Sequence, residues 1–276
     1  MNIEMRYHNV YYYCGILSNV IEYQQDEFLT KLWEFSHIYL EEIPEQYSKE
    51  SVLLLFCRWS VRLIMEEDME EELAELKELI EKYSGESKKD LKKAFWSDGT
   101  YFSFEVERAI EHYYKKKNRF YDWLKEEEYD LLEDAFDDYL FNLWIGDKYE
   151  TIVDKIADEM FYILFLNREF LLCFNHYMSL THERKFTRGY MPQWVKNAVF
   201  YRNRGKCVLC GSDLSGLLMV TEDKKIHYDH MVPLDQGGLN DVSNIQLLCG
   251  KCNLSKGTVS TTSNIYQNWF DMHSDN

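Results

Sequence analysis

Two CxxC pairs, Cys207-Val-Leu-Cys210 and Cys249-Gly-Lys-Cys252, stand 38 residues apart in a chain of 276. No other feature of the sequence restricts the fold as strongly. A CxxC turn brings two thiolates to one side of a tight loop, each able to reach a metal at about 2.3 Å. Two such turns complete a tetrahedral four-sulfur site with no open position, the structural kind. Zinc suits four thiolates in a reducing compartment because it has no redox chemistry to lose. A redox CxxC is the competing reading, but it needs no second pair. Zinc at Cys207, Cys210, Cys249 and Cys252 would staple segments distant in sequence and hold a small domain that its own core could not fold.

The other three cysteines, Cys14, Cys57 and Cys173, lie in apolar surroundings and read as small buried hydrophobes. Seven cysteines is an odd count, and MNIEMRYHNVYYYCG has no basic stretch leading into an apolar one. Both argue against a disulfide framework and for a cytoplasmic setting. The longest uncharged run, 7–21, is too short and too polar to span a bilayer, and the apolar run 160–174 is cut by Arg168 and Glu169. A soluble chain without membrane association is expected.

Charge divides the chain in two. Residues 1–180 hold 39 acidic and 20 basic side chains, while residues 181–276 hold 9 and 11, which together give the formal −17 of the whole. Between Glu183 and Lys206 stand Arg184, Lys185, Arg188, Lys196, Arg202, Arg204 and Lys206. An acidic domain over 1–186 and a second domain over 187–276 with a basic lead-in are therefore expected.

The first domain reads as all-helical, and the chain as mainly α. Met69, Leu73, Leu76 and Ile80 recur at helical spacing among Glu and Lys, and Gly146-Asp147 marks a break. Further helical patterns run through 104–125 and 129–145, and a last long helix is expected over 149–178. The acidic stretches EEDMEEELAELKELIEK and KEEEYDLLEDAFDDY read first as solvated helix faces. A docking surface for a basic protein partner or for self-association is the sharper alternative. Residues 187–192 read as a linker, with Pro192 opening a helix over 193–203.

Between the CxxC pairs, LLMVTEDKKIHYDHMV reads as a hairpin with strands 217–222 and 225–232 around a turn at Asp223-Lys224. Pro233 stops the second strand, LDQGGLNDVSN is a turn-rich loop, and the second CxxC opens a short helix containing Asn253 and Lys256. His230 is a natural general base, because imidazole titrates near neutrality. Asp229 beside it is a hard oxygen ligand suited to Mg²⁺. Successive strand residues point to opposite faces, so the strand must end or twist there for both to serve one site.

This arrangement resembles the HNH endonuclease family, the ββα-metal nucleases. The resemblance spans about 191–257 and rests on DHMVP, Gly237-Gly238, Asn244 and CNLSKG inside the CxxC frame. His230 to Asn244 is 14 residues and Asn244 to Asn253 is 9, as the family pattern has them. It implies a small C-terminal ββα-metal domain that hydrolyses DNA, leaving a 5′-phosphate and a 3′-hydroxyl.

The resemblance also implies roles. Asn253 becomes the second ligand of a Mg²⁺ or other divalent ion held by Asp229. Asn244 becomes the residue that fixes the loop carrying the base, and Lys256 lies near a phosphate. Arg202, Arg204 and Lys206 are expected to contact the DNA backbone. His227 shares the strand face of Asp229, though an exposed strand histidine is the plainer reading. The acidic domain suggests control by a partner, as in a defence or restriction-type effector. The rival reading is a non-catalytic zinc-containing DNA-binding adaptor.

Overall fold

A computed structural model describes residues 9–23, 26–40, 46–82, 104–116, 120, 132–182, 184–216 and 225–263. Among them the chain is mainly helical. In order run α1 (Val10–Tyr23), α2 (Asp26–Phe35, continued by a π turn over Ser36–Leu40), α3 (Val52–Lys82), α4 (Glu105–Tyr114), α5 (Leu132–Ile145), α6 (Lys148–Leu166), α7 (Arg168–Leu180) and α8 (Gln193–Arg202). Then come β1 (Ile226–His230), β2 (Ile245–Cys249) and α9 (Gly250–Lys256).

The long helix expected over 149–178 is two helices, α6 and α7. Asn167 separates them: its extended backbone ends the first, and its side chain accepts the Phe170 amide at 3.2 Å to cap the second. Gly146-Asp147 breaks the chain before α6, with Asp147 at φ +51°. α8 begins at Gln193 as expected, with Pro192 as its N-cap, and ends at Arg202, one residue before the expected limit.

Packing divides the chain into Met1–Tyr13 with Arg58–Glu159, and Cys14–Cys57 with Met160–Asn276. These boundaries do not coincide with the division of charge at about residue 180. Cys14–Cys57 joins the cysteine-rich segment because its apolar face has partners there. Phe56 meets Phe35 and Phe174, each at 5.2 Å between rings, and all three are fully buried.

In the first unit, α3 presents Val61, Met65 and Met69 at intervals of four to its core, and α6 presents Ile152, Val153, Ile156 and Ala157. Glu66, Glu67, Glu70 and Glu71 of the EEDMEEE stretch are exposed, as read, while Asp68 and Glu72 are half-buried. Asp68 accepts the Glu105 amide at 2.8 Å and so caps α4. Buried Glu105 in turn accepts from Asn9 at 2.9 Å and Arg108 at 2.8 Å.

In the second unit the core beneath the CxxC frame gathers Val195 and Val199 of α8, Val208, Leu214, Val242, Ile245, Leu247 and Tyr47. β1 pairs with β2, antiparallel, in the register Ile226 to Cys249 and His230 to Ile245. The hairpin's first strand and turn, 217–224, lie outside the described residues. β1 ends at His230, two residues short of the expected limit, because Met231 and Val232 bond to Asn244 instead of continuing the ladder. Cys14 and Cys57 are buried, and burial pushes the Cys14 thiol up to about 12. Cys173 is half-buried.

Candidate functional site

The two CxxC turns converge. The ligand atoms of Cys207, Cys210, Cys249 and Cys252 all lie within 4.8 Å of one another. Each turn is shaped by its own backbone. The Cys207 amide donates to Ser212 at 2.9 Å and the Gly211 amide to Cys207 at 2.8 Å, while the Cys249 sulfur accepts the Cys252 amide at 3.4 Å as the N-cap of α9. Sulfurs about 2.3 Å from one ion at tetrahedral angles stand about 3.8 Å apart. The Cys210 and Cys249 sulfurs are separated by 3.8 Å. Burial opposes ionisation of Cys210, but hydrogen bonds from Ser212, Cys207 and Cys252 outweigh it and bring the thiol down to about 6. Donor set and spacing fit a zinc ion.

Beside this cluster β1 delivers His227, Asp229 and His230. The Asp229 carboxylate receives the Lys256 ammonium at 2.9 Å, and the Lys256 side chain is 1% exposed against 17% for Asp229. Lys256 therefore faces the acid rather than the solvent expected of a phosphate contact. One turn back on α9, the Asn253 amide nitrogen meets His227 Nδ1 at 3.4 Å. His227 is half-buried. Its plainer reading, an exposed strand histidine, gives way to a contact with the site. The strand alternation that puts His227 and Asp229 on one face already held this signal.

His230 is buried. Its Nε2 lies 3.1 Å from Asn240 Oδ1 and 3.3 Å from the Tyr47 hydroxyl. Burial lowers its pKa, as do the charges of Arg188 and Lys256, against the Asn240 bond and the charge of Asp229, which raise it. The contacts of His230 thus run to Asn240 and Tyr47, those of Asp229 to Lys256, and those of Asn253 to His227.

Asn244 closes the loop that follows the histidine. Wholly buried, it accepts the Val232 amide at 2.9 Å and donates to the carbonyls of Val232 and Leu239, each at 3.0 Å. The reversal depends on Gly237 and Gly238. Gly237 has φ +83°, and a Cβ on Gly238 would come within 2.0 Å of the Val232 carbonyl oxygen. Asp241 anchors the far side: it accepts the Ser243 amide at 2.9 Å and the Val52 amide, the first of α3, at 2.8 Å.

The basic lead-in is not uniform. Arg204 and Lys206 are exposed, but Arg202 is buried, its guanidinium donating to the Ile245 carbonyl and lying 4.7 Å from the Phe165 ring. Burial, and then the charge of Arg168, push Arg202 down to about 9. The expectation that Arg202 contacts a phosphate backbone is corrected. It shares the α8 face of Val195 and Val199, and that face is the core.

Sequence reading missed Tyr47, Asn240 and Asp241. Asn240-Asp241 directly follow the glycine pair, where side chains able to bond the backbone are favoured, so a signal was present for those two. Tyr47 is 183 residues from its partner and carried none.

A strand ending in a buried histidine, paired with a strand that runs into a short helix over four converging thiolates able to hold a metal ion, defines a small ββα-type module. Residues 207–258 match the family model described as HNH endonuclease, so the C-terminal part of the chain carries a domain of that nuclease family. Such a domain implies binding of nucleic acid. Searches of curated proteins and of solved structures find no match. Among the described residues no helix is long and apolar enough to cross a membrane.

Proposed function

We propose that the chain is a metal-dependent endonuclease that hydrolyses phosphodiester bonds of double-stranded DNA, with His230 as general base. The observation that carries this reading is the environment of His230. It is buried at the end of β1 inside a segment matching the HNH family, and its Nε2 lies 3.1 Å from Asn240 Oδ1. Asp229, and the Asn253 amide oxygen left over once Nδ2 turns to His227, offer hard oxygen donors that suit Mg²⁺. A divalent ion there supplies Lewis acidity to the phosphate and the leaving oxygen.

The chain's own residues supply the rest. His230 takes the proton of the attacking water as its oxygen bonds phosphorus. The bond from phosphorus to O3′ breaks, and the 3′ oxygen is protonated from solvent, leaving a 5′-phosphate and a 3′-hydroxyl. Asn244 keeps the loop after His230 in one conformation. Lys256 holds the Asp229 carboxylate in place, and Arg204 and Lys206 meet the backbone.

The acidic helical region, 1–180, would repel non-specific DNA and bind a basic protein partner or a second copy. That would suit a controlled defence or restriction-type effector.

Plasmid cleavage with Mg²⁺ tests the reading. The wild type should cut, His230→Ala should cut about 10²–10⁴-fold more slowly, and omission of Mg²⁺ with zinc retained should stop cutting. Plasmid binding with no cleavage in any of these conditions would instead establish a non-catalytic adaptor.

A further inference from the structure

We propose that Tyr47 and Asn240 are positioning residues for His230: they hold its Nε2 edge, so that Nε2 keeps its hydrogen and Nδ1 is the edge that accepts a proton. This deepens the nuclease reading, on which its catalytic consequence rests. The tautomer follows from a chain of contacts. Asn240 Nδ2 donates to the Thr187 carbonyl at 2.8 Å, which fixes which end of the amide is which. Oδ1 therefore faces His230 Nε2, at 3.1 Å. An amide oxygen only accepts, so a hydrogen must sit on Nε2.

The Tyr47 oxygen, 3.3 Å from the same nitrogen, is then a second acceptor for that hydrogen. Burial and the charge of Asp241 raise the Tyr47 pKa, so the phenol stays neutral at working pH.

Neither Thr187 nor Tyr47 belongs to the segment that matches the family, 207–258. Tyr47 is set against the histidine by the chain that follows it, where the Val52 amide bonds Asp241 at 2.8 Å. The orientation of the base thus depends on a segment 183 residues upstream.

The test is long-range ¹H–¹⁵N NMR of the full-length, zinc-loaded chain with ¹⁵N-labelled histidine, above neutral pH, with His230 assigned by its loss in His230→Gln. The wild type should show the Nε2–H tautomer alone. Asn240→Ala should give a mixture and lower kcat about tenfold or more with KM within about twofold, and Asn240→Asp, which keeps an acceptor toward Nε2 but loses the bond to Thr187, should keep the Nε2–H tautomer. Tyr47→Phe should keep the tautomer and lower kcat about 2- to 10-fold. An Nδ1–H or mixed wild type overturns the proposal, as does a Tyr47→Phe chain with wild-type kcat. A wild type that never cuts but holds Nε2–H sinks the nuclease reading and leaves the tautomer assignment standing.

Discussion

Asn244→Ala should unfasten the loop behind the proposed base. The side chain serves three backbone groups at once: it accepts from the Val232 amide and donates to the carbonyls of Val232 and Leu239, at 2.9, 3.0 and 3.0 Å. It is wholly buried, so truncation leaves one N–H and two C=O groups without a partner. Each orphaned buried group costs about 1–3 kcal/mol. A water needs roughly 30 Å³ and two to four polar partners. The space left by the amide offers three, so one water should recover part of the loss. The net cost should be about 3–5 kcal/mol, a large share of the roughly 5–15 kcal/mol that holds a typical domain. Two packing units make a single global unfolding transition a poor readout. Hydrogen exchange at the Val232 amide, in the zinc-loaded chain, reads the clamp directly. Protection there should fall by roughly two to four orders of magnitude, following the energy above at about 1.4 kcal/mol per factor of ten. Asn244→Asp should be worse, since it removes the donor and sets a charge against two carbonyls. A loss under about 1 kcal/mol with Val232 protection intact would refute the clamp.

Arg202→Met should change stability by no more than about 1 kcal/mol, or increase it, because the guanidinium is a buried cation beside Arg168. It should leave the salt dependence of DNA binding unmoved, whereas Arg204→Ala should reduce the log–log slope by about 1. A reduced slope in Arg202→Met would return that residue to the interface. Cys249→Ser should lose the bound zinc, as read by metal stoichiometry, and with it amide protection along Ile245–Cys249. Protected strands without zinc would show the staple to be dispensable. Burial raises the Asp241 carboxyl, against the bonds from Ser243 and Val52 that lower it. A raised acid is most favourable to folding below its unfolded value near 3.9 and loses that advantage as pH climbs through the native one. The stability of wild type minus Asp241→Asn should therefore fall with rising pH over that window, and a difference that rises would reverse the sign. Replacing exposed Glu70, Glu71, Glu75 and Glu78 by Gln should raise non-specific cutting at low salt and not at 1 M, and an equal effect at both would exclude charge repulsion.

Legibility followed distance along the chain. The CxxC turns are local patterns whose chemistry is fixed by a few covalent steps, and their convergence could be read, whereas the roles given to His230, Asn244 and Asn253 rest on the resemblance. Arg202 was misjudged although the sequence held the answer. Val195, Val199 and Arg202 follow at intervals of four and three, so an arginine that looks like part of a basic run lies on the apolar stripe. Asn167 carried a similar signal: an N-cap residue with Glu169 in the following turn interrupts a periodicity that otherwise suggests one helix. Tyr47 had no such signal, because the contact is made only when residues 46–57 and 226–244 pack in one unit, and no periodicity encodes that.

A chain of net charge −17 can meet a phosphate backbone because affinity depends on charge within about a Debye length, roughly 10 Å at 0.1 M salt. Counting formal charge by segment overstates the basic supply. Arg202 and Lys256 are buried against a carbonyl and a carboxylate, while Lys185, Arg188, Arg204 and Lys206 remain at the surface. The acidic side also resists simple subtraction. Deleting residues 1–180 to relieve repulsion would remove Tyr47 from His230, Val52 from Asp241 and Asn175 from Ser243, whose side chains meet at 3.2 Å. Such a truncation would lose activity through the base and its loop whatever the acids do. Electrostatic control and support of the site are separable only by changing charge at exposed positions while the packing of Cys14–Cys57 against the cysteine-rich segment stays intact.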